Sequence, residues 1–303
     1  MVARVLVACL VPWTAALVLG PARVARPSTA TKATTLEALE AVPTPAFGGT
    51  FGGDVATLKA KILHYGATLD RGQGYNPTSG DQYKSRMDAA VQSVEALVAA
   101  GGEGGGGGVV DEAKLAGRWE LVFSSVPHGI FRSSPFFLAI EESYRRVGAP
   151  EKAELFFKLH ELQTCSWGAS KIGRVGQTVD VDNGMLYSEF DTQIFSLTVI
   201  PILGWFKLLP TFGGCVVTAS KYKVNGDSLD VEVDYTSAKP VEGLSGLGEW
   251  IWKVKVPVGA VWKLLPWNKG LPPTASLACK YLDDDFRVVQ DAGGEYFVYA
   301  RPV

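Results

Sequence analysis

The sequence predicts a mainly β protein, an antiparallel β-barrel preceded by an N-terminal α-helical hairpin. Three observations carry this. Apolar residues recur every three or four positions between Val55 and Leu97. From Gly117 onward they recur every second position. Turn signals, Asn183-Gly184 and Asn225-Gly226 among them, cut that second region into short runs. The chain has 303 residues, 47% hydrophobic and 20% charged, with a net charge of −2, enough for a sizeable core and without a global field that attracts nucleic acid.

Residues 1–36 read as a targeting presequence. Their only charged side chains are Arg4, Arg23, Arg26 and Lys32, and the first acid is Glu37. Val5 to Leu19 is an apolar run of signal-peptide length, and Gly20-Pro21-Ala22 supplies small residues for cleavage. The basic, hydroxyl-rich "RVARPSTATKATT" that follows is transit-like. A signal followed by a transit stretch suits a secondary plastid reached through the secretory pathway; a plain secretory signal with a disordered mature N-terminus fits the same composition. Outside the presequence, Cys165, Cys215 and Cys279 form no CxxC pair and no disulfide framework, which favours a reducing interior.

Residues 37–53, rich in Thr, Pro and Gly, form a linker. Residues 54–100 form the helical hairpin. Val55, Leu58, Ile62, Tyr65 and Leu69 lie on one helical face with Asp54 as N-cap, and Tyr83, Met87, Val91, Val94 and Leu97 lie on another. Between them "RGQGYNPTSG" is a turn. Residues 101–115 are a tether whose first eight positions hold seven glycines, with no Lys-Ser/Thr after them to make a phosphate loop.

Residues 116–303 form the barrel. In "GRWELVFSS", Trp119, Leu121 and Phe123 face one way. Val175 to Val181 and Leu186 to Phe190 flank the first Asn-Gly turn, and Val216 to Val224 and Leu229 to Tyr235 flank the second. Ser276 to Leu282, Phe286 to Gln290 and Glu295 to Arg301 complete a meander of roughly eight strands, whose interior is filled by side chains or holds one small ligand. Within "EKAELFFKLHEL", Leu155, Leu159 and Leu162 have helical spacing, which predicts a helix packed on or across the barrel.

Candidate chemistry is sparse. His64, His128 and His160 lie on different elements without metal-ligand spacing, so packing or surface roles are expected and no metal or cofactor is implied. Asp283-Asp284-Asp285 reads as a polar turn, and no serine has a nucleophile context. No enzymatic activity is expected. The aromatic distribution says more: five of the eight Trp fall between Trp205 and Trp267, interleaved with Lys. Such a composition suits a surface that touches lipid headgroups and acyl chains, and it equally suits an ordinary core.

Several motifs together resemble the plastid lipid-associated protein family, the fibrillins. "GRWELVFSS" is similar to that family's opening barrel motif, and "IFRSSPFFLAI" to the segment after it. "LKAKILHYGATLDRGQGYNP" with "AAVQSVEAL" resembles its helical pair, with Asp70, Arg71 and Gly72 at the turn. "VKVPVGAVWKLLP" and "KYLDDDFRVVQDAGGEYFVYARP" resemble its closing segments, so the likeness covers roughly residues 55 to 303. The glycine tether and Gln290 depart from the family pattern.

The resemblance implies a lipocalin-like barrel in a plastid (chloroplast) protein. It implies a peripheral association with thylakoid or plastoglobule surfaces and binding of apolar plastid lipids: carotenoid, prenylquinone or fatty acid. With such a ligand, strand alternation gives the expected cavity lining as Leu121, Phe123, Val179, Phe190, Val231, Val233 and Phe297. The expected membrane rim is Trp205, Lys207, Trp262, Lys263 and Trp267. In lipocalin-type barrels a Gly-x-Trp opens the first strand beneath an Arg; here Gly117 and Trp119 supply the first part, with Arg287 the preferred partner and Arg301 the second, as a structural plug. The alternative function is a membrane-associated scaffold for a plastid lipid or quinone biosynthetic enzyme, with the helical hairpin as partner surface.

Overall fold

Alternating hydrophobicity from Gly117 onward produces eight strands among the described residues, and they close into one antiparallel barrel. These are β1 (Gly117–Ser124), β2 (Lys171–Asp180), β3 (Met185–Gln193), β4 (Gly214–Asn225), β5 (Ser228–Lys239), β6 (Thr274–Leu282), β7 (Phe286–Gln290) and β8 (Tyr296–Ala300). Each pairs with the next, and β8 returns to β1. The computed structural model describes residues 54–73, 80–101, 109–165, 171–193, 214–239, 254–263 and 270–302. The presequence, the linker and residues 102–108 of the tether lie outside them.

The connections give the barrel two unlike ends. At the turn end, Gly184 and Gly226 take the positive φ (61° and 63°) that tight hairpins require. A short helix, here α3 (Glu112–Leu115), caps the same end; its N-cap Asp111 accepts from the amides of Ala113 and Lys114, and Val110 N donates to Gly226 O. At the opposite, helix end, β1 runs into α4 (Gly129–Arg132), α5 (Pro135–Arg146) and α6 (Pro150–Cys165). The β3–β4 connection also starts and finishes there and the β5–β6 connection starts there, since Thr192 pairs with Gly214 and Cys215 with Lys239. The β5–β6 connection carries α7 (Val258–Lys263).

Helices α1 (Val55–Thr68) and α2 (Gly80–Ala100) lie on the outer wall. Their apolar faces, Leu58, Ile62 and Leu69 with Met87, Val94 and Leu97, pack against Phe123, Tyr281, Phe286, Val288 and Val298. Asp54 caps α1 as its position predicts, accepting from Thr57 N at 2.8 Å. Close approach is required as well as apolarity: a Cβ at Gly66 would meet Val122 O at 2.1 Å. Lys59 fastens α1 to the β6–β7 turn through Asp283 (2.5 Å) and Asp285. Burial alone would push the Asp283 carboxyl up, but the bonds from Lys59 and Tyr281 hold it down, to about 2.

The turn between these helices is strained. Asp70, Arg71 and Gly72 all have positive φ (45°, 59° and 89°), the first two against the preference of residues with a Cβ. A Cβ at Gly72 would lie 2.0 Å from Ser124 O, and Arg71 Nη1 donates to Gly173 O at 2.6 Å. Contacts with two barrel strands thus hold the backbone where it would not rest alone.

Two local expectations are corrected. Periodicity singled out one helix after β1, whereas α5 precedes it and buries Phe137, Leu138, Ala139 and Ile140. In α6 the buried face is Ala153 and Phe157, and Leu155 is 58% exposed; Leu159 and Leu162 are side chains outside the description. The leucine spacing is helical, but Leu155 faces out and Phe157 takes a buried position because it meets Phe137 of α5.

Candidate functional site

The turn end of the barrel is closed around Trp119. Its indole Nε1 donates to Leu115 O at 2.8 Å, which removes the cost of burying that polar group. Arg301 lies over the ring at 4.2 Å, held there by bonds to Ala116 O (2.9 Å) and Lys114 O (2.7 Å). Arg287 lies at 5.1 Å from the same ring and 4.4 Å from Tyr299. Both arginines therefore reach the indole, and Arg301 is the nearer because two carbonyls orient it.

Inside the barrel the wall is of two kinds. Leu121, Val175, Val179, Leu186, Leu229, Val231, Leu277, Val289 and Phe297 form one apolar cluster, to which Ile130 and Leu138 are added from the helix end. Across it runs a polar row. Gln177 pairs with Ser188 and Ser188 with Thr218, in the alternation of inward Val175, Val179 and Leu186. Gln177 Nε2 donates to Tyr299 Oη (3.0 Å) and to Ser133 O (3.3 Å), and its Oε1 accepts from Arg287 Nη2 at 2.5 Å. Burial pushes the Arg287 guanidinium pKa below its usual value. The described interior is closely filled: Trp119, Cys279, Leu282 and Phe297 have no solvent exposure.

The helix end is aromatic. His128 Nε2 and His160 Nδ1 are hydrogen-bonded at 2.8 Å, one ring carrying the shared proton. Phe131 stacks on His128 at 4.5 Å; Phe131 and Phe137 pack edge-on to His160, and Phe190 edge-on to Phe131. Burial, then the neighbouring His160 and Arg132, pushes His128 down to about 3, and burial pushes His160 down to about 4. Both imidazoles are neutral at physiological pH. The two histidines lie on different elements, as the sequence indicates, but the fold brings the start of α4 and α6 onto each other and pairs them.

Beneath α5 lies an ionic network. Buried Arg132 meets Glu141 at 3.0 Å and Glu154 at 3.3 Å, and Arg145 also binds Glu141. Asp291, in the β7–β8 turn, accepts from the amides of Gly293 and Glu295 through Oδ1, while Oδ2 is buried without a partner among the described residues. Burial and the charge of Glu141 push its carboxyl up to about 6.

No family model, curated protein or solved structure matches this chain. Geometry therefore carries the functional reading.

Of the expected cavity lining, Leu121, Val179, Val231 and Phe297 lie in the inner cluster. Phe190 is half-buried between that cluster and the aromatic one, and Val233 is buried on β5. Phe123 is a correction. A β-bulge between Leu121 and Phe123 turns it to the outer wall, where it packs under the hairpin. Of the expected rim, Trp262 is half-buried, edge-on to Phe136 of α5 at 5.8 Å, and Lys263 lies 3.9 Å from Glu232. Trp205, Lys207 and Trp267 lie outside the described residues.

Sequence reasoning did not single out Gln177, Tyr299 or Asp291, and it gave His128 and His160 packing or surface roles without pairing them. Gln177 was findable, because it alternates in step with Val175 and Val179 and so points inward. The histidine pair had no local signal. As to other chemistry, burial pushes the thiols of Cys215 and Cys279 up to about 12 and about 11, so both are protonated and poor nucleophiles. Among the described residues no helix is long and apolar enough to cross a membrane.

Proposed function

We propose that this protein is a non-enzymatic lipid-binding module of plastids, of the fibrillin type, which takes a small apolar lipid at the helix end of its barrel. The observation that carries this is the gathering of Phe131, Phe137, Phe156, Phe190 and two neutral histidines at the end where the β3–β4 and β5–β6 connections attach. Those connections contain the tryptophans and lysines, Trp205, Lys207, Trp262, Lys263 and Trp267, suited to a lipid surface. The motif resemblance over residues 55 to 303 supports the same class, with carotenoid, prenylquinone and fatty acid as ligand candidates and thylakoid or plastoglobule as the surface. The test is organic extraction of the purified chain followed by mass spectrometry, with flotation on galactolipid vesicles. About one lipid per chain and co-flotation support the proposal; an empty chain that stays with the soluble fraction contradicts it.

The filled interior favours a second reading, in which the barrel is a scaffold and α1 and α2 bind a biosynthetic enzyme. An empty chain that co-purifies stoichiometrically with one such enzyme, and loses it when the exposed face of α2 is changed, supports this reading.

A further inference from the structure

Charge inside the barrel is not balanced. Arg287 is 1% exposed, yet its hydrogen bonding among the described residues is the single Nη2 bond to Gln177, and its Nε has no partner. No carboxylate lies within ion-pair distance of it among the described residues. The other buried arginine among the described residues is treated differently: Arg132 is neutralised by Glu141 and Glu154. The rings of Trp119 and Tyr299 offset part of the cost of burying the Arg287 charge, but a cation–π contact is weaker than the desolvation of an ion.

We infer that the barrel interior carries a carboxylate-binding site centred on Arg287, and that the lipid it takes is a single-chain amphiphile with a carboxylate head. This rests on the lipid-binding reading above. The guanidinium fork matches a carboxylate in shape. Gln177, bonded to it, supplies one neutral group; the row continues away from it through Ser188 and Thr218 on the neighbouring strands, where Ser220 has a buried hydroxyl without a partner among the described residues. One uncompensated positive charge balances one negative charge. A phosphate dianion would leave the second unmatched, because Arg301 is committed to the carbonyls of Lys114 and Ala116. The apolar cluster around Val175, Val231, Leu277 and Phe297 is compatible with an acyl chain. Since the described interior is filled, binding entails displacement of the Ser133 segment, whose carbonyl now accepts from Gln177.

The test measures displacement of a fluorescent fatty acid from the full chain at about pH 8 by oleate, oleyl alcohol, methyl oleate and oleyl phosphate. Oleate is expected to bind at least ~10-fold more tightly than the alcohol and the ester, as charge-assisted hydrogen bonding requires. Arg287→Lys retains this preference and Arg287→Met abolishes it. Where the variants do not fold, the wild-type comparison of oleate with oleyl alcohol decides by itself. Equal affinity for acid and alcohol overturns the site while leaving the lipid-binding reading intact. Tighter binding of the phosphate overturns the choice of head group. Failure of every probe to bind overturns the lipid-binding reading and this inference with it.

Discussion

The Arg301 guanidinium lies 4.2 Å from the centre of the Trp119 ring, pinned there by two backbone carbonyls next to α3. This contact ties the last residues of the chain to the first strand and to the cap of the turn end. Trp119→Ala removes a large, fully buried side chain and leaves Arg301 and Arg287 without the ring. A loss of about 3–5 kcal/mol in stability is expected, with ligand preference retained in whatever protein remains folded. Denaturant unfolding checks the first and probe displacement the second; unchanged stability with lost binding contradicts the plug.

Asp291 holds a carboxyl pushed up to about 6. Its folded pKa exceeds the unfolded value near 4, so the folded state binds the proton more tightly. Its contribution to stability is therefore greatest below about pH 4 and is lost as pH rises to about 6. Asp291→Asn keeps the Oδ1 acceptor for Gly293 and Glu295 and removes the charge facing Glu141. It should stabilise the protein by on the order of 1–3 kcal/mol at neutral pH and by little at pH ~4, as read by thermal melts at both.

The histidine pair has the opposite sign. His128 and His160 are pushed down from 6.5 to about 3 and about 4, so the unfolded chain takes up protons first. Stability from this pair is present above about pH 6.5 and is lost as pH falls toward 4. His160→Phe keeps the ring among Phe131 and Phe137 and leaves one group to titrate. Its melting temperature should fall less than that of wild type between pH 7 and pH ~4.5. The Asp291 effect runs the other way over the same range, so the difference between variant and wild type is the readout; parallel curves would contradict the pairing.

Docking of the hairpin depends on glycines that admit no side chain. At Gly72, φ is +89° and a Cβ would meet Ser124 O at 2.0 Å. Gly72→Ala should destabilise by more than ~1 kcal/mol through strain and clash combined. Faster hydrogen exchange in α1 and α2, with the inner strands still protected, would accompany it. Wild-type exchange throughout would mean that the turn does not hold the helices to the wall.

The barrel was legible because half-buried strands alternate and Asn-Gly turns mark their ends; Leu229, Val231 and Val233 against Asp230, Glu232 and Asp234 show the signal at its clearest. Phe123 shows where it fails. One extra residue at the β1 bulge inverts every face that follows, and alternation carries no mark of it. The same happens at the bulge between Cys279 and Tyr281, which sends Tyr281 outward to the hairpin. Trp119 and its arginines were readable from the Gly117-x-Trp119 opening, but which arginine lies closer depends on carbonyls supplied by α3. The histidine pair and the Asp291–Glu141 approach join residues 32 and 150 positions apart, and only the folded chain brings them together.

Entry of an apolar lipid at the helix end has a direct readout. The experiment is photo-crosslinking of the full chain with a diazirine-bearing fatty acid, followed by mapping of the modified peptides. Labelling is expected to concentrate between residues 128 and 165 and on the inward positions of β2 to β5. Absence of labelling, or labelling confined to α1, α2 and the outer wall beneath them, would contradict it.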